Sequence, residues 1–144
     1  MNVVMVFLVF LGGVAIAVQA GINGGLGRRI GVVEGAFLSF LIGTVVLFLM
    51  MLFFGKGNLL TALSVPKWQL IGGILGAFYV FAMVLAVPKI GVAASLITVI
   101  AGQIIMSSII DHFGWIGMKQ IPIDGKRIVA FCLLMAALYL FAKK

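Results

Sequence analysis

The segment VEGAFLSFLIGTVVLFLMMLFF, Val33 to Phe54, decides the class of fold. Its 22 residues include one charged side chain, Glu34, in second position. A helix of about 20 apolar residues is long enough to cross about 30 Å of hydrocarbon. At that depth no water is present to satisfy backbone amides and carbonyls, so a spanning segment of this length must be helical. We therefore predict a transmembrane helix here.

Four further apolar segments flank this one, and together they predict five spanning helices, at residues 3–22, 33–54, 68–87, 91–110 and 128–142. The glycine-rich run Asn23–Gly27 is predicted to end the first helix, and Pro88–Gly91 to separate the third from the fourth. At 65% hydrophobic and 9% charged residues, the chain has too little polar surface for a water-soluble globule. We predict an all-α integral membrane protein with a single membrane domain over residues 1–144.

The Lys and Arg residues divide evenly between the two predicted sides of the membrane. One side holds Lys56, Lys67, Lys119, Lys126 and Arg127, and the other holds Arg28, Arg29, Lys89, Lys143 and Lys144. An excess of Lys and Arg on one side normally fixes the orientation of a membrane protein. Because this chain has no excess, we expect dual topology and hence an antiparallel homodimer.

The net charge of +7 comes from these cations at predicted helix ends. Contact with lipid headgroups is their ordinary role at such positions. We therefore expect membrane lipids and a second copy of the chain as partners, and no nucleic acid.

Small residues recur at four-residue intervals on the predicted helices. These rows let helix backbones approach closely, and in a transporter they also allow helices to slide. The residues predicted to pack helices are Gly35, Ser39 and Gly43 on the second helix, Gly72, Gly73 and Gly76 on the third, and Gly102 on the fourth.

Polar residues inside the spans are the candidates for a substrate pathway, because each is costly in hydrocarbon unless it faces a partner or a water-filled cavity. Gln19 and Asn23 share a face of the first helix. On the fourth helix, Ser95 and Thr98 follow one stripe and Gln103 and Ser107 a neighbouring one. Hydrogen bonds between helices are the alternative role. The predicted pathway residues are Gln19, Asn23, Ser95, Thr98, Gln103 and Ser107.

The three acidic residues are Glu34, Asp111 and Asp124. Glu34 opens the second helix, where the helix dipole favours an anion and where Arg28 or Arg29 could pair with it. Glu34 and Asp111 are the candidates for proton coupling, with Glu34 preferred. Asp111 is alternatively an interfacial anchor or an acceptor that orders the next loop, and Asp124 is expected to pair with Lys126 or Arg127.

The sequence contains no pattern typical of catalysis or metal binding. The chain has one histidine, His112, and one cysteine, Cys132, so a cluster of these ligands is excluded. It also lacks a Ser/His/Asp arrangement and a phosphate-binding glycine loop. We expect no enzymatic activity, no cofactor and no metal, and a buried, inert Cys132 thiol.

The string GQIIMSSIIDHFG, Gly102 to Gly114, resembles the signature of the small YdcZ-like, five-helix branch of the drug/metabolite transporter superfamily. The resemblance covers nearly the whole chain. It implies a transporter-like protein of the bacterial inner membrane that works as paired inverted subunits, with four helices around a cavity and the last at the periphery or dimer contact. The other positions that carry it are Gln19, Ile22 and Asn23, Phe40, Gly43 and Thr44, and Gly72, Gly73, Gly76 and Ala77.

More distantly, the chain resembles the four-helix small multidrug resistance exporters. Their first helix bears a central glutamate that binds cation and proton in turn. Here the first helix has Gln19 and no acid, so that exchange does not carry over. The departure leaves a neutral or zwitterionic substrate, or proton coupling at Glu34, as the two alternatives.

These observations predict a secondary transporter that exports a small organic metabolite or drug by alternating access in a dual-topology homodimer. A small ion channel whose polar rows line a continuous pore is one alternative. A non-transporting accessory subunit is another, and it explains the glycine rows but not the polar stripes of the fourth helix.

Overall fold

The computed structural model describes residues 2–115 and 120–142. Over these ranges the chain is helical and contains no β-strand. Two short 3-10 helices, Leu59–Leu63 and Lys67–Leu70, precede the third α-helix. The five α-helices are α1 (Val3–Ile30), α2 (Val32–Phe54), α3 (Ile71–Ile90), α4 (Val92–Phe113) and α5 (Gly125–Ala142). Four spans, Val3–Ile30, Val32–Phe54, Lys67–Ile90 and Val92–Phe113, are long and apolar enough to cross a membrane.

Several helix ends differ from the predicted ones. The prediction that Asn23–Gly27 ends the first helix was wrong, because α1 continues to Ile30. Likewise, α3 continues through Pro88 to Ile90, and α5 begins at Gly125. In hydrocarbon the backbone has no water to bond, so helical hydrogen bonding persists through glycines that would end a helix in water.

Single glycines connect α1 to α2 and α3 to α4. Gly31 has φ 108° and ψ 151°, and Gly91 has φ 87° and ψ 163°, a region that side chains with a Cβ rarely adopt. The flanking residues match, since Ile-Gly-Val occurs at 30–32 and again at 90–92. A Gly-Gly pair recurs at the same spacing, at 12–13 and 72–73. The two connections are therefore two copies of one local conformation.

The chain folds as two compact units, Met1–Lys89 and Ile90–Lys144. The core of the first unit consists of Ala36, Val80 and the fully buried Val84. Most large apolar side chains of α1 and α2 are exposed, as is usual where lipid surrounds the protein. In the second unit, α4 packs against α5.

The Gly31 connection sets the register of the α1–α2 hairpin. Residues equally far from Gly31 face each other across it. A Cβ on Gly35 would lie 3.1 Å from the Cα of Gly27, so the two backbones nearly touch there. One turn further from Gly31, the Asn23 amide donates a hydrogen bond to the Ser39 hydroxyl at 2.9 Å. The first two members of the predicted row on α2 thus face α1.

Helix α3 packs into the glycine-lined surface of this hairpin. The side chain of Val84 contacts the position where Gly27 would carry a Cβ. At Gly24, an added Cβ would lie 2.7 Å from Cγ1 of Val87. The three helices of the first unit therefore approach most closely near the end that contains Gly31.

Candidate functional site

A cleft of about 390 Å³ opens between α1, α2 and α3 within the first unit, and we call it the midspan cleft. Its polar side chains are Gln19, Ser39, Thr44 and Tyr79, and its other residues are Ile16, Phe40, Gly43, Leu47, Gly76 and Val80.

The midspan cleft forms because small residues leave space where the helices diverge. Gln19 on α1 and Gly43 on α2 are the next pair in the hairpin register, and a Cβ on Gly43 would meet no atom within 4 Å. On the α3 side, an added Cβ at Gly76 would lie 3.5 Å from the ring of Phe40. Glycine at 43 and 76 therefore keeps open a space that larger side chains would fill.

The cleft lies near the middle of each span. Gly43 is the central residue of α2, Val32–Phe54, and Tyr79 is central in the span Lys67–Ile90. Gln19 is close to the middle of α1, Val3–Ile30. In a helix that crosses the bilayer from end to end, residues at the middle of the span would lie near the bilayer centre. Transporter binding sites are typically located at that level.

All four polar side chains of the cleft have unused hydrogen-bonding capacity. Over the described residues, the Gln19 amide, the Thr44 hydroxyl and the Tyr79 hydroxyl have no hydrogen-bond partner. Ser39 accepts from Asn23 and keeps its own proton to donate. Because unpaired polar groups are costly in an apolar setting, these groups are suited to bind a polar solute or water.

The midspan cleft contains only part of the predicted pathway set. Gln19 lines it, and Asn23, 6% exposed, supports it through Ser39. Sequence reasoning missed Tyr79 and did not propose Phe40 or Thr44 as site residues. A signal existed for Thr44, which is a polar residue in the middle of a span beside the predicted small residue Gly43. Tyr79 had a weaker signal, because it follows the small-residue row of α3 by one turn.

The predicted hydroxyl residues of α4 bond to their own helix. Ser95 donates to the Gly91 carbonyl at 2.7 Å, Thr98 to Ala94 at 2.9 Å and Ser107 to Ile104 at 3.1 Å. Gln103 is exposed and has no hydrogen-bond partner within the described ranges. The hydroxyls are thus locally satisfied, unlike those of Thr44 and Tyr79.

The predicted packing glycines also differ from one another. An added Cβ would meet no atom within 4 Å at Gly72, Gly73 or Gly102. Gly35, by contrast, is in near contact with Gly27. Among these predicted packing glycines, Gly35 is therefore the one at a close contact between helix backbones.

Asp111 and His112 organise the connection from α4 to α5. The Asp111 carbonyl accepts from the Ile121 amide at 2.7 Å, and the Nδ1 of His112 accepts from the Ile123 amide at 3.2 Å. The Asp111 carboxylate lies 3.5 Å from Nη1 of Arg127. Part of the Asp-His-Phe-Gly signature thus has a structural role in ordering a loop.

Three expectations about side chains outside the cleft were wrong. Asp124 accepts from the Arg127 amide at 2.9 Å and so caps the start of α5, while Asp111 is the ion-pair partner of Arg127. Cys132 is exposed on α5 instead of buried. Glu34 is exposed in the first turn of α2, and neither Arg28 nor Arg29 forms a salt bridge with it over the described residues.

Comparison with known proteins identifies related sequences. Residues 4–140 match the family described as "Putative inner membrane exporter, YdcZ". The chain is 33% identical over 112 residues to the "Inner membrane protein YdcZ" of Escherichia coli (strain K12), covering 74% of this chain and 72% of that protein. No solved structure matches the chain.

Proposed function

The chain belongs to the YdcZ family of inner membrane exporters, and from this membership we propose that it is a secondary transporter that exports a small organic molecule through the midspan cleft. It is a multi-pass inner membrane protein, and its family is not a class of enzymes. The cleft is the observation that carries the proposal. Gln19, Thr44 and Tyr79 bring unpaired polar groups together at the depth where transporters bind their substrates.

We propose that two oppositely oriented copies alternate the access of the cleft between the two sides of the membrane. The even distribution of Lys and Arg supports this arrangement, because it gives neither orientation an advantage. Arg28 and Arg29 lie in the last turn of α1, and Lys89 lies in the last turn of α3. An inverted pair of chains is equivalent to the fused inverted repeats of larger transporters.

For proton coupling, Glu34 is a better candidate than Asp111. The Asp111 carboxylate already forms an ion pair with Arg127 at the connection from α4 to α5. The Glu34 carboxylate is exposed and has no salt bridge with a described residue. It is also on α2, the helix that supplies Ser39 and Thr44 to the cleft.

The test is export from cells. Cells that produce the wild-type chain should release one or more solutes into the medium at a higher level than cells with an empty vector. Gln19→Leu and Thr44→Val should lower that release, because each removes a polar group from the cleft wall at similar volume. The measurement is untargeted mass spectrometry of the medium, with membrane levels of each variant matched.

Gln69→Leu and Thr61→Val are the matched controls, since both residues are exposed in the 3-10 helices before α3 and do not line the cleft. They should export like the wild type. Equal release from the cleft variants and the wild type would contradict the role of the cleft. No solute raised above the empty-vector level would contradict export itself.

A further inference from the structure

The charge of the midspan cleft limits the solutes that it can bind. Every side chain that lines it is neutral. The charged residues of α1 and α2, Arg28, Arg29 and Glu34, lie at the helix ends. Arg28 is nine residues from Gln19, or roughly 13 Å along the helix. An ion held at mid-membrane without a nearby counter-charge is unfavourable, so the lining favours an uncharged solute.

The polar groups of the cleft define what the solute should carry. The Gln19 amide both donates and accepts hydrogen bonds, and the hydroxyls of Thr44 and Tyr79 can each do either. None of the three has a partner over the described residues. A solute with an amide or hydroxyl group satisfies these groups, whereas a hydrocarbon would bury them unpaired.

The apolar part of the lining defines the rest of the solute. The rings of Phe40 and Tyr79 line the cleft together with Leu47 and Val80. Aromatic side chains favour stacked or edge-to-face contact with another ring. The cavity of about 390 Å³ is near the lower end of the usual range for small-molecule sites, roughly 300–1,000 Å³, and so fits a small ring system.

We propose that the midspan cleft binds an uncharged aromatic solute of low molecular mass that carries an amide or hydroxyl group. This assignment rests on the proposed function, because it names the class of substrate for the same cleft. Aromatic rings alone also attract cations. The charge of the preferred ligand therefore distinguishes the proposed site from a cation-binding site.

The test uses three probes that share an indole ring and differ in charge: neutral indole-3-acetamide, cationic tryptamine and anionic indole-3-acetate. Binding to the full chain in nanodiscs is measured by equilibrium dialysis against empty nanodiscs, which corrects for partition into lipid. Indole-3-acetamide should bind most tightly. Gln19→Leu and Tyr79→Phe should each weaken it by about fivefold, the loss expected for one hydrogen bond. Gln69→Leu should bind it like the wild type.

Three results would overturn the assignment: no binding of indole-3-acetamide above empty nanodiscs, equal binding of it by the cleft variants, or tighter binding of tryptamine or indole-3-acetate. Tighter binding of tryptamine that is lost in Gln19→Leu would reject the uncharged class and leave the exporter proposal standing. If the wild type binds indole-3-acetamide, and Gln19→Leu binds it more weakly but exports normally, the cleft is a binding site for this class of solute. That result would reject the cleft as the export route.

Discussion

Gly27 is the residue at which the three helices of the first unit meet. A methyl group there would overlap the side chain of Val84, which is fully buried. We expect Gly27→Ala to lower the free energy of unfolding by about 1–3 kcal/mol, the usual cost of overpacking. Gly25→Ala is the control, because an added Cβ at Gly25 meets no atom within 4 Å. Thermal unfolding of the purified variants measures the difference.

A second substitution shows whether Gly27→Ala lowers the free energy of unfolding through its contact with Val84 or through an effect that alanine has anywhere in the helix. If Gly27→Ala acts through Val84, then Val84→Ala should recover part of the lost stability in the double variant, since residues in contact give non-additive effects. Additive losses in the double variant, or equal losses in Gly27→Ala and Gly25→Ala, would contradict the packing seen at this point.

Some of the candidate site could be predicted at the residue level. Gln19 and Asn23 are four residues apart, so the helical period alone places them on one face. The period does not show which helix that face meets. Asn23 donates a hydrogen bond to Ser39, whereas Gln19 lines the cleft. The difference arises because α1 and α2 are close together at Asn23 and further apart at Gln19. Tyr79 was missed for the same reason, because its role depends on where α3 packs.

At the level of helices, the Gly31 connection fixes which residues of α1 and α2 face each other. Its φ of 108° and ψ of 151° lie in a region nearly restricted to glycine. Gly31→Ala should therefore destabilise the protein by about 1–3 kcal/mol, or shift the hairpin register. Gly57→Ala is the control, since Gly57 lies in an exposed loop with open space around its Cα.

The readout for Gly31→Ala is thermal unfolding together with a disulfide test of register. Cysteines at positions 23 and 39, in a Cys132→Ala background, should cross-link in the parent chain because these side chains are in contact. Reduced cross-linking in Gly31→Ala at equal protein level is expected. Unchanged stability and unchanged cross-linking would show that the connection does not set the register.

All five α-helices were predicted, but four of the described helices are long and apolar enough to cross a membrane, and several helix ends were misjudged. Long apolar segments with little charge predict spans because hydrocarbon thickness sets their length. The ends of α1 were misjudged because glycine was given the meaning it has in water, where it ends helices. In this chain Gly24 and Gly27 are helical residues that receive the side chains of Val87 and Val84.

For the whole molecule, the balance of Lys and Arg predicts that two added lysines decide the orientation. Inserting two Lys beside Lys56 should hold the N-terminus in the cytoplasm, because positive residues are retained on that side. The measurement is labelling of Asn2→Cys by an impermeant maleimide in intact cells and in inverted vesicles, in a Cys132→Ala background. The parent chain should be labelled in both preparations. Labelling of the parent from one side only would contradict dual topology.

The proton coupling that we propose for Glu34 is also tested on the whole molecule. Glu34→Gln keeps the shape of the side chain and removes its titration, so transport driven uphill by a pH gradient should be lost while downhill exchange of substrate continues. Asp111→Asn is the comparison, and it should retain uphill transport if Glu34 alone carries the proton. Uphill transport by Glu34→Gln in liposomes with an imposed pH gradient would show that Glu34 serves only at the helix end.

The hydrogen bond between Asn23 and Ser39 also has a mechanical consequence. It joins α1 to α2 at 2.9 Å. Along the hairpin it lies between the close contact of Gly27 with Gly35, nearer to Gly31, and the midspan cleft, one turn further away. Over the described residues α3 meets this pair only through apolar contacts, such as Val84 at Gly27 and Val87 at Gly24. Such contacts are not directional. Separating α1 from α2 would therefore break this hydrogen bond, whereas a change in the position of α3 relative to them, and so in the width of the cleft, would break none among the described residues.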